Sequence, residues 1–153
     1  MSGANIKLVA SQAKDGDYIL EDQVGHLLRR AHQRHTAIFQ DMIGDRNLTQ
    51  LQFAALVKLR DLGEVSQNQL GRNTGMDAAT MQGVIKRLSA RGLIDRKPDP
   101  GDRRRLVLSL SEDGKRLIEA VIPRGKRISR ATLEPLSDEE RKVLVALLAK
   151  ISV

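Results

Sequence analysis

The sequence predicts a mostly helical α+β fold, and three observations predict it. Apolar residues recur at i, i+3 and i+4 over residues 18–43 and again over 137–151, the spacing of one helix face. Between them, residues 66–91 have the pattern of two helices joined by a turn at Thr74–Gly75–Met76. Residues 93–110 have the pattern of two short strands around a basic loop. This order predicts a winged helix-turn-helix core flanked by N- and C-terminal helices.

The composition narrows the classes of protein that the chain can be. With no cysteine among 153 residues, it has no disulfide, thiolate metal site or thiol redox switch. Only 2% of the residues are aromatic, which disfavours a surface that stacks on single-stranded bases. No apolar run approaches the roughly 20 residues needed to span a bilayer, and no signal-peptide pattern is present. We therefore expect a cytoplasmic protein with no membrane partner.

The positive charge is concentrated in the centre of the chain. Residues 1–65 carry eight Lys/Arg and eight Asp/Glu, residues 66–130 carry fifteen and seven, and residues 131–153 carry three and four. The central part thus has a net charge of +8, against +7 for the whole chain. Localised positive charge suggests a polyanionic partner, because bound phosphates release their counterions. A solvated basic surface is the alternative.

The first helical pattern is too long for a small domain to cover. It spans Tyr18 to Ile43, and its apolar positions fall on an arc of roughly 120°. Because the core of one winged domain cannot bury so long a stripe, we expect it to pack against a second copy in a homodimer. The predicted organisation is a flexible N-terminal arm at 1–17, a helical dimerisation region at 18–48 plus 112–153, and a winged helix-turn-helix DNA-binding region at 49–111.

Local signals predict where the helices begin and bend. Thr49, Ser66 and Ser137 are each followed three residues later by Gln or Glu, which is the capping-box spacing. Asp77 is a good N-cap for a helix that runs from Ala78 to Arg91. Pro123 lies inside the long helix after the wing, where it predicts a kink rather than an end.

Two stretches resemble the MarR family of bacterial transcriptional regulators. Residues 77–97, DAATMQGVIKRLSARGLIDRK, resemble that family's recognition helix and first wing strand. Residues 99–117, DPGDRRRLVLSLSEDGKRL, resemble its wing, an acid followed by Arg-Arg, and the Leu-Ser-x-x-Gly start of the next helix. The resemblance covers about residues 18–151. It implies a homodimer that binds a pseudopalindromic duplex operator, usually as a repressor. It also implies that a small aromatic acid commonly releases the homodimer from DNA.

The second helix of the motif is expected to enter the major groove with its first residues toward the bases. A glutamine can bond an adenine edge, a threonine or alanine methyl can touch thymine, and a glycine allows close approach. Basic residues farther along are expected to meet phosphates. The predicted base contacts are Ala79, Thr80, Gln82 and Gly83, and the predicted phosphate contacts are Arg72, Lys86 and Arg87.

The wing residues Asp102, Arg103 and Arg104 match the family's acid-x-Arg pattern. The resemblance implies a minor-groove contact by Arg104, with Arg103 as second choice, because arginine recognises a narrow minor groove. Asp102 would repel phosphate, so we expect it to hold an arginine side chain in place. A solvated charged loop is the alternative.

All three histidines lie in the first helix, at positions 26, 32 and 35. The pair at 32 and 35 could be satisfied core residues, metal ligands or part of an effector pocket, although a third metal ligand is not evident. A pocket for an aromatic acid needs polar groups for its carboxylate and apolar walls for its ring. We predict the former from His32, Arg34 and His35 and the latter from Phe39 and Phe53. The first helix resembles most those members that control breakdown of hydroxybenzoates, hydroxycinnamates or hydroxynicotinates.

No enzyme motif is present: GxSxG, the P-loop and HExxH are absent, and there is no cysteine nucleophile. We therefore predict a regulator rather than an enzyme, with no cofactor and no bound metal. Its expected partners are double-stranded DNA, a second copy of the chain and a small aromatic carboxylate. A metal-responsive regulator of the same fold and a ligand-independent architectural DNA-binding protein are the alternatives.

Overall fold

A computed structural model describes residues 16–152, which divide into two compact units. The helical unit holds the residues up to Ile38 and from Arg127 onward, and the winged unit runs from Phe39 to Lys126. These limits differ from the predicted region limits at 48/49 and 111/112, because Phe39, Ile43, Ile118 and Val121 are buried side chains of the winged unit. Most of the predicted arm at 1–17 lies outside the described residues.

The described residues contain six α-helices and three strands. In chain order they are α1 (Val24–Met42), α2 (Gln50–Leu62), β1 (Val65–Ser66), α3 (Gln67–Thr74), α4 (Ala78–Ala90), β2 (Ile94–Pro98), β3 (Leu106–Leu110), α5 (Glu112–Thr132) and α6 (Asp138–Ile151). The mostly helical α+β fold, with a winged helix-turn-helix core, is therefore confirmed. None of the helices in residues 16–152 is long and apolar enough to cross a membrane.

Helix α1 begins six residues later than its sequence pattern predicts. Leu20–Asp22 forms a 3-10 turn, and Gln23 after it is extended, with φ −81° and ψ 133°. The Gln23 side-chain amide donates to the carbonyl of Ile19 at 2.8 Å, which closes this turn. The apolar periodicity continues through the turn, so the sequence pattern alone could not show the break.

Capping signals place the other helices correctly. Thr49 and Ser137 form complete capping boxes at the starts of α2 and α6. Ser66 forms only half of one, because its side chain accepts from the backbone N–H of Gln69 without a reciprocal bond. Helix α5 continues through Pro123.

A three-stranded antiparallel sheet in the order β1-β3-β2 completes the winged unit. Strands β2 and β3 are the predicted wing strands, with Ile94 opposite Leu110 and Pro98 opposite Leu106. The two-residue strand β1 was not predicted. It pairs Val65 with Leu108 and Ser66 with Val107, so the start of α3 is joined directly to the base of the wing.

The helical unit has almost no core of its own within one chain. Of the buried apolar side chains in residues 16–152, all but Ile128 belong to the winged unit. The apolar stripes of α1 and α6 instead face solvent; examples are Val24 at 65%, Leu27 at 49% and Leu147 at 54% exposure. So much exposed apolar surface is typical of an interaction site.

Candidate nucleic-acid interface

Helix α4 has a polar outer face and a buried apolar inner face. Its inner face buries Met81, Val84, Ile85 and Leu88. The Asp77 carboxylate caps its first turn, accepting from the backbone N–H of Thr80 at 2.7 Å. That hydrogen bond, supported by the Thr80 side chain, lowers the pKa of Asp77 although burial opposes it. The predicted contacts Ala79, Gln82, Lys86 and Arg87 are exposed, whereas Thr80 and Gly83 are half-buried.

The turn between α3 and α4 depends on two glycines. Gly75 has a φ of +67°, the left-handed region that favours glycine. At Gly71 a Cβ atom would lie 3.1 Å from the backbone oxygen of Met76, so the chain passes close to α3 there. These positions set the direction in which α4 leaves α3, and thereby the direction of its polar face.

The tip of the wing is held by aspartate–backbone hydrogen bonds. Asp99 accepts from the backbone N–H of Gly101 at 2.8 Å, and Asp102 accepts from that of Arg104 at 3.0 Å. We expected Asp102 to hold an arginine side chain; in the structure its carboxylate accepts from the backbone N–H of Arg104. Within residues 16–152, the Arg103 and Arg104 guanidinium groups form no ion pair.

The role of Asp102 can be tested by separating its charge from its hydrogen bond. Asp102→Asn keeps an oxygen that can accept from the Arg104 N–H, so we expect duplex DNA to bind at least as tightly as to the wild type. Asp102→Ala removes the acceptor and frees the turn, so we expect weaker binding. Equilibrium titration of both variants with labelled duplex checks this. Equal affinities for the two variants would contradict a positioning role.

Three other basic residues beside the wing have internal partners that the sequence did not reveal. Arg91 binds Asp45 at 2.7 Å, the Arg96 Nε donates to the Ser89 hydroxyl at 2.9 Å, and Lys97 pairs with Glu64. Burial acts to raise the pKa of Asp45, but its hydrogen bonds and the charge of Arg91 outweigh this and lower it. These partners are 7 to 46 residues away in the chain, so no local pattern indicates them.

The wing joins α5 through a close backbone contact. The Ser111 hydroxyl donates to the carbonyl of Gly92 at 2.6 Å and accepts from the N–H of Gly114 at 3.0 Å. A Cβ atom at Gly114 would lie only 2.0 Å from the carbonyl oxygen of Leu93. The Leu-Ser-x-x-Gly pattern therefore has a structural cause: its serine bonds both sides of the junction and its glycine lets them meet.

A substitution of Gly83 should change the stability of α4 and its binding to DNA in opposite directions. A Cβ atom there would meet only the Arg87 Nη1, at 3.5 Å, so alanine fits. Because glycine costs about 1 kcal/mol relative to alanine inside a helix, we expect Gly83→Ala to raise the free energy of unfolding by up to that amount. The new methyl group should nevertheless weaken operator binding if the bases approach Gly83. Urea unfolding and DNA titration measure the two effects; a stabilised variant with unchanged affinity would exclude the contact.

Two of the five candidate effector residues lie in the winged unit. The rings of Phe39 and Phe53 pack edge to face, with centroids 5.9 Å apart and planes inclined by 68°. Phe39 is buried and Phe53 half-buried. A Cβ atom at Gly125 would lie 2.7 Å from the Phe53 Cζ, so glycine provides the space for this ring.

The other three candidates lie in the helical unit. The Arg34 guanidinium donates to the carbonyls of Thr132 and Ala131 at 2.5 and 3.1 Å, at the end of α5. His35 Nδ1 lies 2.8 Å from the Thr132 hydroxyl, which itself donates to the Ile128 carbonyl at 2.9 Å. Since the hydroxyl proton is used there, His35 Nδ1–H must be the donor to Thr132. Neutral His35 therefore keeps Nε2 as an acceptor. His32 is exposed.

The half-buried position of His35 has a consequence for stability. Burial, aided by the charge of His32, lowers the pKa of His35 below its ordinary 6.5. Between that lowered value and 6.5 the unfolded chain binds more protons, so stability is lost as the pH falls through this window. We expect His35→Asn, whose amide can keep the Thr132 bond, to lose less stability than the wild type between pH 7 and 5. Urea unfolding across that range measures this; parallel curves would contradict it.

No group of three or more His, Cys, Asp or Glu residues in 16–152 is placed to hold a metal ion. The clefts of the winged unit include two that border α3. Neither Asn68 nor Arg105, which border these clefts, was predicted from the sequence as a site residue, although both lie inside the helix-turn-helix and wing patterns.

Comparison with known proteins agrees with this geometry. The MarR family model matches residues 48–106, which include α2–α4 and both sides of the wing loop. The HTH-type transcriptional repressor NicR of Pseudomonas putida is 46% identical over 134 residues, covering 88% of this chain and 85% of NicR. The chain belongs to the MarR family. It is a winged helix-turn-helix transcriptional regulator, and not an enzyme.

Two solved structures are similar to this chain over most of their length. BpsR of Bordetella bronchiseptica has a TM-score of 0.86 and 46% identity, covering 90% of this chain and 98% of BpsR. The DNA binding of BpsR is regulated by 6-hydroxynicotinic acid. PcaV of Streptomyces coelicolor, solved with its natural ligand, has a TM-score of 0.84 and 32% identity, covering 89% and 96%. The MarR fold thus extends beyond the residues that the family model matches.

Proposed function

We propose that this chain is a homodimeric repressor that binds a pseudopalindromic duplex operator and is released by a small aromatic acid. The observation that carries the DNA contact is the exposed face of α4 beside a wing whose Arg103 and Arg104 have no ion-pair partner among residues 16–152. Unpaired guanidinium groups are available to DNA without the loss of an internal contact. A regulator of this kind acts in the cytoplasm, where its operator is.

The dimer is supported by the exposed stripes of the helical unit. Val24, Leu27 and Leu28 on α1 and Leu147 and Ile151 on α6 are each more than 40% exposed in one chain. A second copy would bury them, and a two-fold dimer would present α4 twice to a palindromic site. We expect sedimentation to give twice the chain mass, and Leu27→Asp to shift it toward the monomer and to weaken operator binding. A monomeric wild type that binds its operator tightly would contradict the dimer.

The effector is inferred from the relatives. BpsR responds to 6-hydroxynicotinic acid and PcaV was solved with its natural ligand. We propose the same class here, a hydroxynicotinate, hydroxybenzoate or hydroxycinnamate, with hydroxynicotinate first because BpsR is the more similar of the two. His32, Arg34 and His35 remain the proposed polar contacts. Arg34 already donates to two carbonyls, so His35, with Nε2 available, is the better candidate.

The experiment begins with duplex selected from a randomised pool. A specific regulator is expected to prefer the selected site over random duplex by at least about 10³-fold at physiological salt. A ratio near one would identify an architectural protein instead. Each aromatic acid is then added to the complex, and 6-hydroxynicotinate is expected to lower the affinity. Release by zinc, reversed by a chelator, with no response to any acid would identify a metal-responsive regulator.

Two substitutions of His35 test its part in the response. In His35→Asn the amide can replace Nδ1 and keep the Thr132 bond, while in His35→Gln it can replace Nε2. If Nε2 accepts from the effector, we expect the glutamine variant to respond at lower effector concentrations than the asparagine variant. Operator affinity without effector serves as the control for folding. Identical responses in the wild type and both variants would remove His35 from the site.

A further inference from the structure

The cleft between α3 and the wing is basic and has no assigned role. It has a volume of about 310 Å³, and its lining includes Asn68 and Arg72 of α3 and Arg104 and Arg105 of the wing. Its described lining contains no acidic residue. None of its three guanidinium groups forms an ion pair within residues 16–152. Three unpaired cations around one concave space indicate an anionic ligand.

The two walls of this cleft are held in register by the sheet. Ser66, the N-cap of α3, pairs with Val107 of β3, one residue after Leu106 at the floor of the cleft. On the wing side, the Arg105 backbone is fixed by two hydrogen bonds: its N–H donates to Asp102 at 2.9 Å, and its carbonyl accepts from Asp99 at 2.9 Å. The short strand β1 therefore makes the cleft a preformed feature of the winged unit.

Asn68 and Arg72 also border a second cleft, between α3 and the start of α4. This space of about 330 Å³ is bounded by Gly71, Gly75 and the start of α4 at Ala78. The two residues are four apart, so they form one ridge on α3, and this ridge borders both clefts. The Asn68 amide and the Arg72 guanidinium thus form a row of hydrogen-bond donors next to α4. Such a row could bind the phosphates of a nucleic-acid backbone that passes over α3.

We propose that the wing cleft holds one phosphodiester of the operator backbone, with Asn68, Arg72 and Arg105 as its donors. The proposal rests on the proposed operator binding and adds Asn68 and Arg105 to the DNA-contacting residues. Arg105 supplies a planar fork that matches phosphate oxygens, and the Asn68 amide supplies a neutral donor. Such a contact positions the protein without reading sequence, so it should affect all duplexes alike.

The first test compares substitutions inside and outside the cleft. Arg105→Gln removes one cation, and Asn68→Asp places a carboxylate there without changing the size of the side chain. Lys115→Gln on α5 is the matched control, because it removes one exposed cation outside the cleft. We expect Arg105→Gln to lose roughly fivefold in affinity at 0.15 M salt, with the slope of log K against log salt reduced by about 0.9. Asn68→Asp should lose at least as much, and Lys115→Gln less than about twofold.

Two further measurements distinguish a phosphate contact from other effects: the ratio of affinities for operator and random duplex, and the thermal stability of the variants. The loss should be the same for operator and for random duplex, leaving their affinity ratio unchanged. Both cleft side chains are exposed, so thermal unfolding of the variants should match the wild type. If Arg105→Gln and Asn68→Asp bind within twofold of Lys115→Gln, the proposal is overturned. Failure of the wild type to bind duplex at all would instead overturn the proposed function.

The second test identifies the phosphate itself. Operators carrying a single neutral methylphosphonate are titrated with the wild type and with Arg105→Gln. We expect one position whose neutralisation costs the wild type about fivefold and the variant little, because the same contact is already lost. Additive losses at every position would contradict the proposal. Inorganic phosphate that shifts the Asn68 amide resonances without any effect of Arg105→Gln on duplex affinity would make the cleft a free-anion site, and would overturn it.

Discussion

Operator binding should weaken by about 1.5–3 kcal/mol when Arg104 is replaced by alanine, the range for hydrogen bonds of charged groups. In the described part of the chain the Arg104 guanidinium has no ion-pair partner, while the Arg104 backbone N–H donates to the Asp102 carboxylate at 3.0 Å. The side chain is thus presented on a fixed turn and its loss costs the folded chain little. Because one cation is lost from the interface, the slope of log K against log salt should also fall by about 0.9.

Lysine at position 104 separates charge from shape. It keeps the cation but lacks the planar fork that suits a narrow minor groove. We therefore expect Arg104→Lys to retain the salt slope and to recover only part of the affinity. Titrations at several salt concentrations, with A·T-rich and G·C-rich wing sites, measure both effects. Unchanged affinity together with an unchanged slope in Arg104→Ala would contradict the assignment of the wing to DNA.

Of the substitutions considered for this chain, Gly114→Ala should lower the free energy of unfolding most. The added Cβ atom would lie 2.0 Å from the Leu93 oxygen and 3.0 Å from its carbonyl carbon, both of them backbone atoms that no side-chain rotation can move. The start of α5 would have to move away from β2, which would strain the hydrogen bonds of Ser111 to Gly92 and Leu93. Overpacking of this kind costs about 1–3 kcal/mol and occasionally more; we expect the upper end.

Thermal unfolding measures this loss, and Gly83→Ala is its matched control. A cost of about 3 kcal/mol corresponds to a Tm lower by roughly 6–12 °C in a chain of this size. Gly83→Ala makes the same chemical change in a helix where the methyl group meets only the end of Arg87, so its Tm should rise. A Gly114→Ala variant as stable as the wild type would show that the junction yields easily.

Much of the fold follows from signals that act over a few residues. The capping residues Thr49, Asp77 and Ser137 begin their helices where the sequence predicts, because a side-chain acceptor three residues from an unpaired N–H is a local relation. The wing strands follow from alternation and from the turn chemistry between them. The family resemblance, carried by the residues from Asp77 to Leu117, also indicated the class of regulator, which the comparisons confirm.

The signals failed where a contact joins distant parts of the chain. Strand β1 has two residues and no alternation, and it exists only because β3 offers an open edge. The bond between His35 and Thr132 spans 97 positions. No composition or spacing could show these contacts, since each depends on the packing of the completed fold.

The basic residues of the helix-turn-helix and the wing show what the sequence determined and what the tertiary structure decided. The sequence by itself determined that Arg72, Arg91, Lys97, Arg104 and Arg105 surround a helix-turn-helix, because charge and element type are properties of local sequence. Only the tertiary structure decided which of them are available. Arg91 and Lys97 are paired with Asp45 and Glu64, while Arg72, Arg104 and Arg105 around one cleft have no ion pair with any residue from 16 to 152. The physical reason is that an ion pair needs its partner within about 4 Å, and folding alone brings distant carboxylates that close.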